Sequence, residues 1–211
     1  MTTDRVVVFD IGRVLVDFDV ARAVRNLAAA TGKDAARVEA ALFYGDDYGD
    51  YSRGRLDARG FHAAFTRRAD AGALSFDAFD RAWCEMFSPM LDMDALASEV
   101  AARCPIFLCS NTDPLHYEYL VRTVPSLRLA RAAVLSYEVG ADKPEPAIYE
   151  ALRVRLRDVP PERALFVDDR ADNVEGALKA GFDAMQFATA RALRGELRAR
   201  GIEVAPSPSR R

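Results

Sequence analysis

Asp10, Ser110, Lys143, Asp168 and Asp169 each stand at or just beyond a short apolar run. Val6-Val7-Val8-Phe9 leads into Asp10-Ile11-Gly12, and Ile106-Phe107-Leu108-Cys109 leads into Ser110-Asn111-Thr112. Ala132-Ala133-Val134-Leu135 precedes Lys143 by a few residues, and Ala164-Leu165-Phe166-Val167 ends in Asp168-Asp169. Together they offer a nucleophile-type carboxylate, a hydroxyl, a cation and a carboxylate pair. A carboxylate can attack phosphorus and form an aspartyl-phosphate that water later cleaves. Two anions approach each other only when charge is neutralised, which calls for a hard cation. Mg²⁺ suits that task, taking one or two carboxylates, waters and phosphate oxygens. The lysine and the hydroxyl are then expected to hold the equatorial phosphate oxygens as charge rearranges. Singly, each residue has a plainer explanation, since Asp and Gly end strands and a lysine can solvate a helix start. Their recurrence at four strand ends carries the argument.

The elements that must position them follow from patterning. Three β-branched residues and Phe9 read as a strand buried on both faces, in the middle of a parallel sheet. In open α/β sheets ligands bind beyond the carboxyl ends of the strands. Val14-Leu15-Val16-Asp17 continues briefly, and the pattern then turns helical as far as Pro89. A helix over 20–30 is expected, capped by Asp19 and stopped near Gly32, then a second over 34–43. Residues 44–54, rich in glycine, tyrosine and acid, read as a loop. Asp57 caps a helix with Phe61 and Phe65, and Ser75 caps one carrying Phe79, Trp83, Met86 and Phe87. No strand is expected between Asp17 and Pro89, so this block reads as an insertion. From Asp94 helices and strands alternate. A helix reaches about Arg103, then come a strand over 106–109, a helix from near Pro114 and a short strand over 132–135. Lys143-Pro144-Glu145-Pro146 opens a helix to about Leu156. A strand over 164–167, a helix over 171–180 and a strand over 184–187 complete the pattern, and the tail 206–211 is expected to fray. The predicted fold is α/β, a Rossmann-like doubly wound parallel sheet from 1–16 and 90–211 with an all-helical insertion at 17–89.

Composition narrows the function classes. A chain of 211 residues can bury one core, or one core with an insertion. With 29 basic against 32 acidic residues the net charge is −3, which argues against broad binding to nucleic acid or an anionic membrane. No apolar run is long enough to span a bilayer, and the start lacks the pattern of a signal peptide. Cys84, Cys104 and Cys109 are widely spaced among apolar neighbours, as expected of buried free thiols in a reducing compartment. The expectation is a cytoplasmic monomer or homodimer acting on a small phosphorylated metabolite, with no nucleic-acid or membrane partner. His62 and His116 lack a partner at ligand spacing and read as surface or satisfied core positions. The aromatic stripes read as the core of the insertion. Arg13 can reach a phosphate or stay solvated, and the 44–51 segment can be a plain connection or a contact for hydroxyl-rich substrates.

This order and spacing resembles the haloacid dehalogenase superfamily of aspartate-nucleophile hydrolases. The motifs that carry the resemblance are Phe9-Asp10-Ile11-Gly12-Arg13-Val14-Leu15-Val16-Asp17, Leu108-Cys109-Ser110-Asn111-Thr112, Asp142-Lys143-Pro144-Glu145-Pro146-Ala147-Ile148-Tyr149 and Phe166-Val167-Asp168-Asp169-Arg170-Ala171-Asp172-Asn173. Within the family the chain looks most like small bacterial sugar-phosphate phosphatases that act on glucose 1-phosphate. The resemblance implies a helical cap closing over the mouth of the core. It makes Asp10 the nucleophile, sharing Mg²⁺ with the Gly12 carbonyl and Asp168. Ser110, Asn111 and Lys143 would bind phosphate, Asp169 and Asn173 would support the metal or its waters, and Asp172 would face solvent. One departure stands out. Phosphatases of the family usually carry a second aspartate two residues after the nucleophile as general acid, where this chain has Gly12. Such an acid is typically worth ~10²–10⁴-fold in rate. Dehalogenases of the family also lack it, because a halide needs no proton, so hydrolysis of a 2-haloacid is the alternative reading. The Asp168-Asp169 pair favours the phosphatase. A catalytically weak member that binds a phosphorylated ligand or partner is a further alternative, favoured by Gly12 and opposed by Asp10, Lys143 and Asp168.

Overall fold

The computed structural model describes residues 4–205. The fraying expected of 206–211 lies outside them.

Strand β1 (Val6–Phe9) has all four side chains buried, and β2 (Val16–Phe18) follows after a tight turn. Five helices come next: α1 (Val20–Thr31), α2 (Ala35–Phe43), α3 (Asp47–Ser52), α4 (Ala58–Ala69) and α5 (Phe76–Cys84). Then come β3 (Phe87–Pro89), α6 (Leu91–Ala101), β4 (Ile106–Ser110), α7 (Pro114–Thr123) and β5 (Ala133–Leu135). The chain continues with α8 (Ser136–Val139), α9 (Pro146–Leu156), β6 (Ala164–Asp168), α10 (Ala171–Lys179), β7 (Asp183–Gln186) and α11 (Ala190–Ala199). No helix among the described residues is long and apolar enough to cross a membrane.

Five strands form one sheet in the order β5-β4-β1-β6-β7, and every pairing is parallel. The chain builds outward from β1 to β4 and β5, then crosses to β6 and β7 on the other side. The reversal falls between β1 and β6, which is where open α/β sheets place their ligands. Register holds the ends level: Phe9 pairs with Leu108 on one side and with Val167 on the other. Alternate side chains of β1 feed opposite faces of the sheet. Val7 and Phe9 pack with α6 and α11 residues such as Leu96 and Leu193, whereas Val6 and Val8 pack with Ile148 and Leu152 of α9. The helical insert has its own core around Phe61, Phe65, Phe79 and Trp83.

The structure departs from the sequence reading in five places. Residues 44–54 contain a helix, α3, because Tyr51 is driven inward to stack on Phe61 (4.6 Å between centroids), an anchor that the glycines and acids around it obscure. The brief continuation of the first strand is a separate strand, β2, which pairs with β3, where no strand was expected, with Phe18 opposite Phe87. Three residues per strand is too short a run for alternation to show. For the same reason α5 ends at Cys84, so Met86 and Phe87 lie beyond it. A short helix, α8, follows β5 directly, and α11 adds a helix beyond the last strand, placing Leu193 and Leu197 in the core.

The insert is seated on the sheet domain through α3. Gly54, at φ 69°, passes so near the Tyr137 carbonyl that a Cβ there would lie 2.0 Å from its oxygen. Beside it Arg53 pairs with Asp142 (2.9 Å) and Glu145 (2.7 Å), and Ser136 Oγ lies 2.9 Å from the Ser52 carbonyl oxygen.

Candidate active site

Asp10 follows β1 directly and is anchored by its backbone N–H to the Val167 carbonyl at 2.9 Å. That bond sets it level with Asp168, the last residue of β6. Ser110 closes β4 on the other side and donates from Oγ to Asp10 Oδ1 at 2.9 Å. Lys143 arrives from the segment between α8 and α9. Its Nζ lies 2.9 Å from Asp10 Oδ1, 2.6 Å from Asp168 Oδ2 and 2.9 Å from the Cys109 carbonyl oxygen. Asp10, Ser110, Lys143 and Asp168 are all buried. Carboxylates and an ammonium are seldom fully buried unless paired. This set spends its pairing within itself, at one end of the sheet.

Neighbouring residues fix the geometry. Asn173, on the first turn of α10, donates from Nδ2 to both Asp168 oxygens (3.0 and 3.1 Å), and the Arg170 N–H adds a third bond at 3.0 Å. Asp169 is half-buried. A carboxylate oxygen from each of Asp10, Asp168 and Asp169 lies within 4.8 Å of the others. Asp172 is exposed and paired with Arg170 (2.7 Å), away from this cluster. Asn111, expected at the phosphate, lines the cleft around this cluster with its amide turned to a neighbouring backbone. Its Nδ2 donates to the Lys143 carbonyl (3.0 Å) while its Oδ1 accepts from the Lys143 N–H (2.7 Å), so its amide grips the backbone that carries the lysine.

Charge at this site is strongly shaped by burial. Burial pushes the Asp10 carboxyl above the usual range and Asp168 adds to it, while Lys143 and Ser110 pull the other way. Burial opposes the charge on Lys143, but Asp10 and Asp168 hold its ammonium above the ordinary lysine value. Burial and Asp168 likewise raise Asp169. Three crowded carboxylates with one ammonium leave an excess of negative charge that a further cation would offset. Their all-oxygen donor set suits Mg²⁺, so the residues present fit that ion.

Gly12 is half-buried, and the side-chain space in front of it is filled by Phe18. An added Cβ would meet the Phe18 ring at 3.0 Å. Arg13 takes φ 59° and turns aside, with its guanidinium on Asp17 (2.9 Å) and the Phe18 carbonyl (3.0 Å). Around the cluster lies a polar cleft of about 700 Å³ whose walls include Arg53, Asp142, Glu145 and Arg170. The sequence reading gave no role to Arg53, nor to Asp113 and His116. Asp113 is the N-cap of α7, with Oδ1 accepting from the His116 N–H, and the Asp-Pro pair at the helix start was the available signal. His116 is buried and His62 half-buried, its Nε2 at 3.0 Å from the Leu74 carbonyl oxygen. The three cysteines are buried and unpaired.

Comparison with known proteins adds a lineage to this geometry. The family model of haloacid dehalogenase-like hydrolases matches residues 5–181. The chain is 26% identical over 188 residues to a D-ribitol-5-phosphate phosphatase of Bacteroides thetaiotaomicron, covering 85% of this chain and 90% of that protein. Among solved structures it is similar to a HAD family enzyme of the same organism in complex with magnesium and inorganic phosphate. The TM-score is 0.75 at 21% identity, covering 87% of this chain and 94% of the other. A predicted HAD-like hydrolase of Porphyromonas gingivalis superposes with a TM-score of 0.78 at 22% identity, covering 95% and 98%.

Proposed function

The chain belongs to the haloacid dehalogenase-like hydrolases, and from that premise we propose that it is a Mg²⁺-dependent phosphatase of a small phosphorylated metabolite. The observation that carries this reading is the buried Asp10–Lys143–Asp168 triplet with Asp169 beside it. A hydrolase releasing halide has no need of so many carboxylates around its nucleophile.

In this reading the free oxygen of Asp10 attacks phosphorus, the bond from phosphorus to the leaving oxygen breaks, and an aspartyl-phosphate forms. Ser110 and Lys143 hold Oδ1 of Asp10, which leaves Oδ2 for the attack. To take the equatorial phosphate oxygens as negative charge gathers there, the same two groups would exchange bonds they now make to Asp10. Water then attacks phosphorus, the bond to Asp10 breaks, and inorganic phosphate leaves with the carboxylate restored. Asp10, Asp168, the Gly12 carbonyl and Asp169 would hold Mg²⁺, whose charge offsets that of the approaching phosphate. Asn173 and the Arg170 N–H keep Asp168 oriented for this role. Asn111 acts through Lys143, fixing its backbone. The helical segment 17–89 serves as a cap over the strand ends.

The named relative from Bacteroides thetaiotaomicron supports phosphorylated sugars and polyols as the first compounds to try, glucose 1-phosphate among them. The polar walls of the cleft suit hydroxyl-bearing groups. Assay with p-nitrophenyl phosphate and 2-chloropropionate, with and without Mg²⁺, tests the assignment. The expected result is Mg²⁺-dependent phosphate release and no halide. Metal-independent chloride release above any phosphatase rate would overturn it in favour of the dehalogenase, the reading that Gly12 alone favours.

A further inference from the structure

A second chamber, about 120 Å³, opens between the insert and the sheet domain. It shares Gly12, Phe18, Ser110 and Asn111 with the polar cleft, so it adjoins the phosphate position directly. Its other walls are mainly apolar, chiefly Val20, Phe43, Trp83, Met86 and Phe87, with Tyr48, Thr112 and His116 among them. His116 is only 5% exposed, its ring stacks on Trp83 (4.6 Å between centroids) and the Phe87 ring meets it edge-on at 4.9 Å. Its Nδ1 is engaged by Asp113 Oδ2 at 2.8 Å, but its Nε2 is buried with no hydrogen-bond partner. Asp113 is itself fully buried and held further by the Trp83 indole N–H at 3.3 Å.

We propose that the phosphate ester taken by this site carries an apolar, ring-sized group that sits in this chamber against Trp83 and Phe87. The inference rests on the phosphatase reading and specifies the organic part of its substrate. Size is close to what a ring needs: the chamber holds about 120 Å³ and opens to the cleft, against about 150 Å³ for a closed apolar cavity that takes benzene. Chemistry selects it, because each hydroxyl buried against those apolar walls without a partner is penalised. A chain of hydroxyls meets mostly apolar side chains here, whereas an aromatic or alicyclic ring gains from stacking and exclusion of water.

The test compares benzyl phosphate with ribitol 5-phosphate, both esters of a primary alcohol, on the full chain with Mg²⁺. Benzyl phosphate should show the higher kcat/KM by about tenfold or more, the scale on which a hydrophobic pocket discriminates. Trp83 is the single tryptophan of the chain and lines the chamber, so its emission reports occupancy directly. Benzylphosphonate, which cannot be hydrolysed, should shift that emission saturably. Ribitol 5-phosphate turned over as well as or better than benzyl phosphate would overturn the inference and leave the phosphatase reading standing. So would Trp83 emission that stays unmoved while benzylphosphonate inhibits. Failure to hydrolyse either ester and p-nitrophenyl phosphate as well would instead overturn the phosphatase reading, and this inference with it.

Discussion

At the scale of single residues, Gly12 is the position where chemistry and space conflict. Among the described glycines it is not one of those at positive φ, so its backbone accepts a side chain. What stands in the way is the Phe18 ring, 3.0 Å from where a Cβ would be. With no side chain at 12 to protonate the leaving oxygen, log kcat/KM should fall steeply as the leaving-group pKa rises. Gly12→Asp combined with Phe18→Leu should flatten that slope and raise turnover of alkyl phosphates by about 10²-fold. A shallow slope already present in the wild type would show that another group supplies the proton. Two aspartates four residues apart make a second contrast. Asp168 is wholly buried between Lys143 and Asn173, whereas Asp172 is exposed and bonded to Arg170. Asp168→Ala should raise the Mg²⁺ requirement by about 10–100-fold or abolish activity, while Asp172→Ala should change it by no more than about twofold. Mg²⁺ titration of initial rates reads both, and equal effects would misplace the metal site. Asp10, Ser110, Lys143 and Asp168 were legible in the sequence because each follows a buried strand or its connection. The grip of Asn111 on the Lys143 backbone was not, since nothing in residue type separates an amide that meets phosphate from one that meets a neighbouring loop.

Among the elements, α7 joins the sheet domain to the insert. Its N-cap, Asp113, collects the His116 N–H and Nδ1, the Trp83 indole and Tyr51 around one buried carboxylate. Burial alone would raise this carboxyl, but His116 and Tyr51 outweigh it and hold the pKa below the usual value. A carboxyl lowered on folding contributes stability above its unfolded pKa, near 3.9, and loses it as pH falls through the lower folded value. The part of the α5–α7 contact that Asp113 supplies should therefore be lost as pH falls below about 4. Trp83 emission followed from pH 7 to 2 checks this, and Asp113→Asn should abolish the acid step. An acid step below pH 4 that persists unchanged in Asp113→Asn would contradict it. Helices with clear caps were readable in advance: Asp57 and Ser75 accept the capping bonds expected of them, whereas Asp19, also expected to cap, makes no capping bond and pairs with Arg25 instead. Short elements were not. The ribbon of β2 and β3 and the helix α3 owe their form to partners distant in sequence, Phe87 for Phe18 and Phe61 for Tyr51.

For the whole molecule, a doubly wound sheet brings Asp10, Ser110, Lys143, Asp168 and Asp169 to one end, and a helical insert carries its own aromatic core. Alternation of strand and helix after Asp94 was enough to anticipate that architecture. The chamber between the two parts was not legible, because its walls come from β2, α1, α2, α5, β3 and α7, and no local pattern links them. The central claim is that Asp10 carries the phosphoryl group. Rapid acid quench during turnover, borohydride reduction and peptide mass spectrometry test it, since reduction converts an aspartyl-phosphate to homoserine. The account predicts homoserine at position 10, formed only with Mg²⁺ and substrate present. Steady turnover with residue 10 unmodified, or with the modification at Asp168 or Asp169, would contradict it.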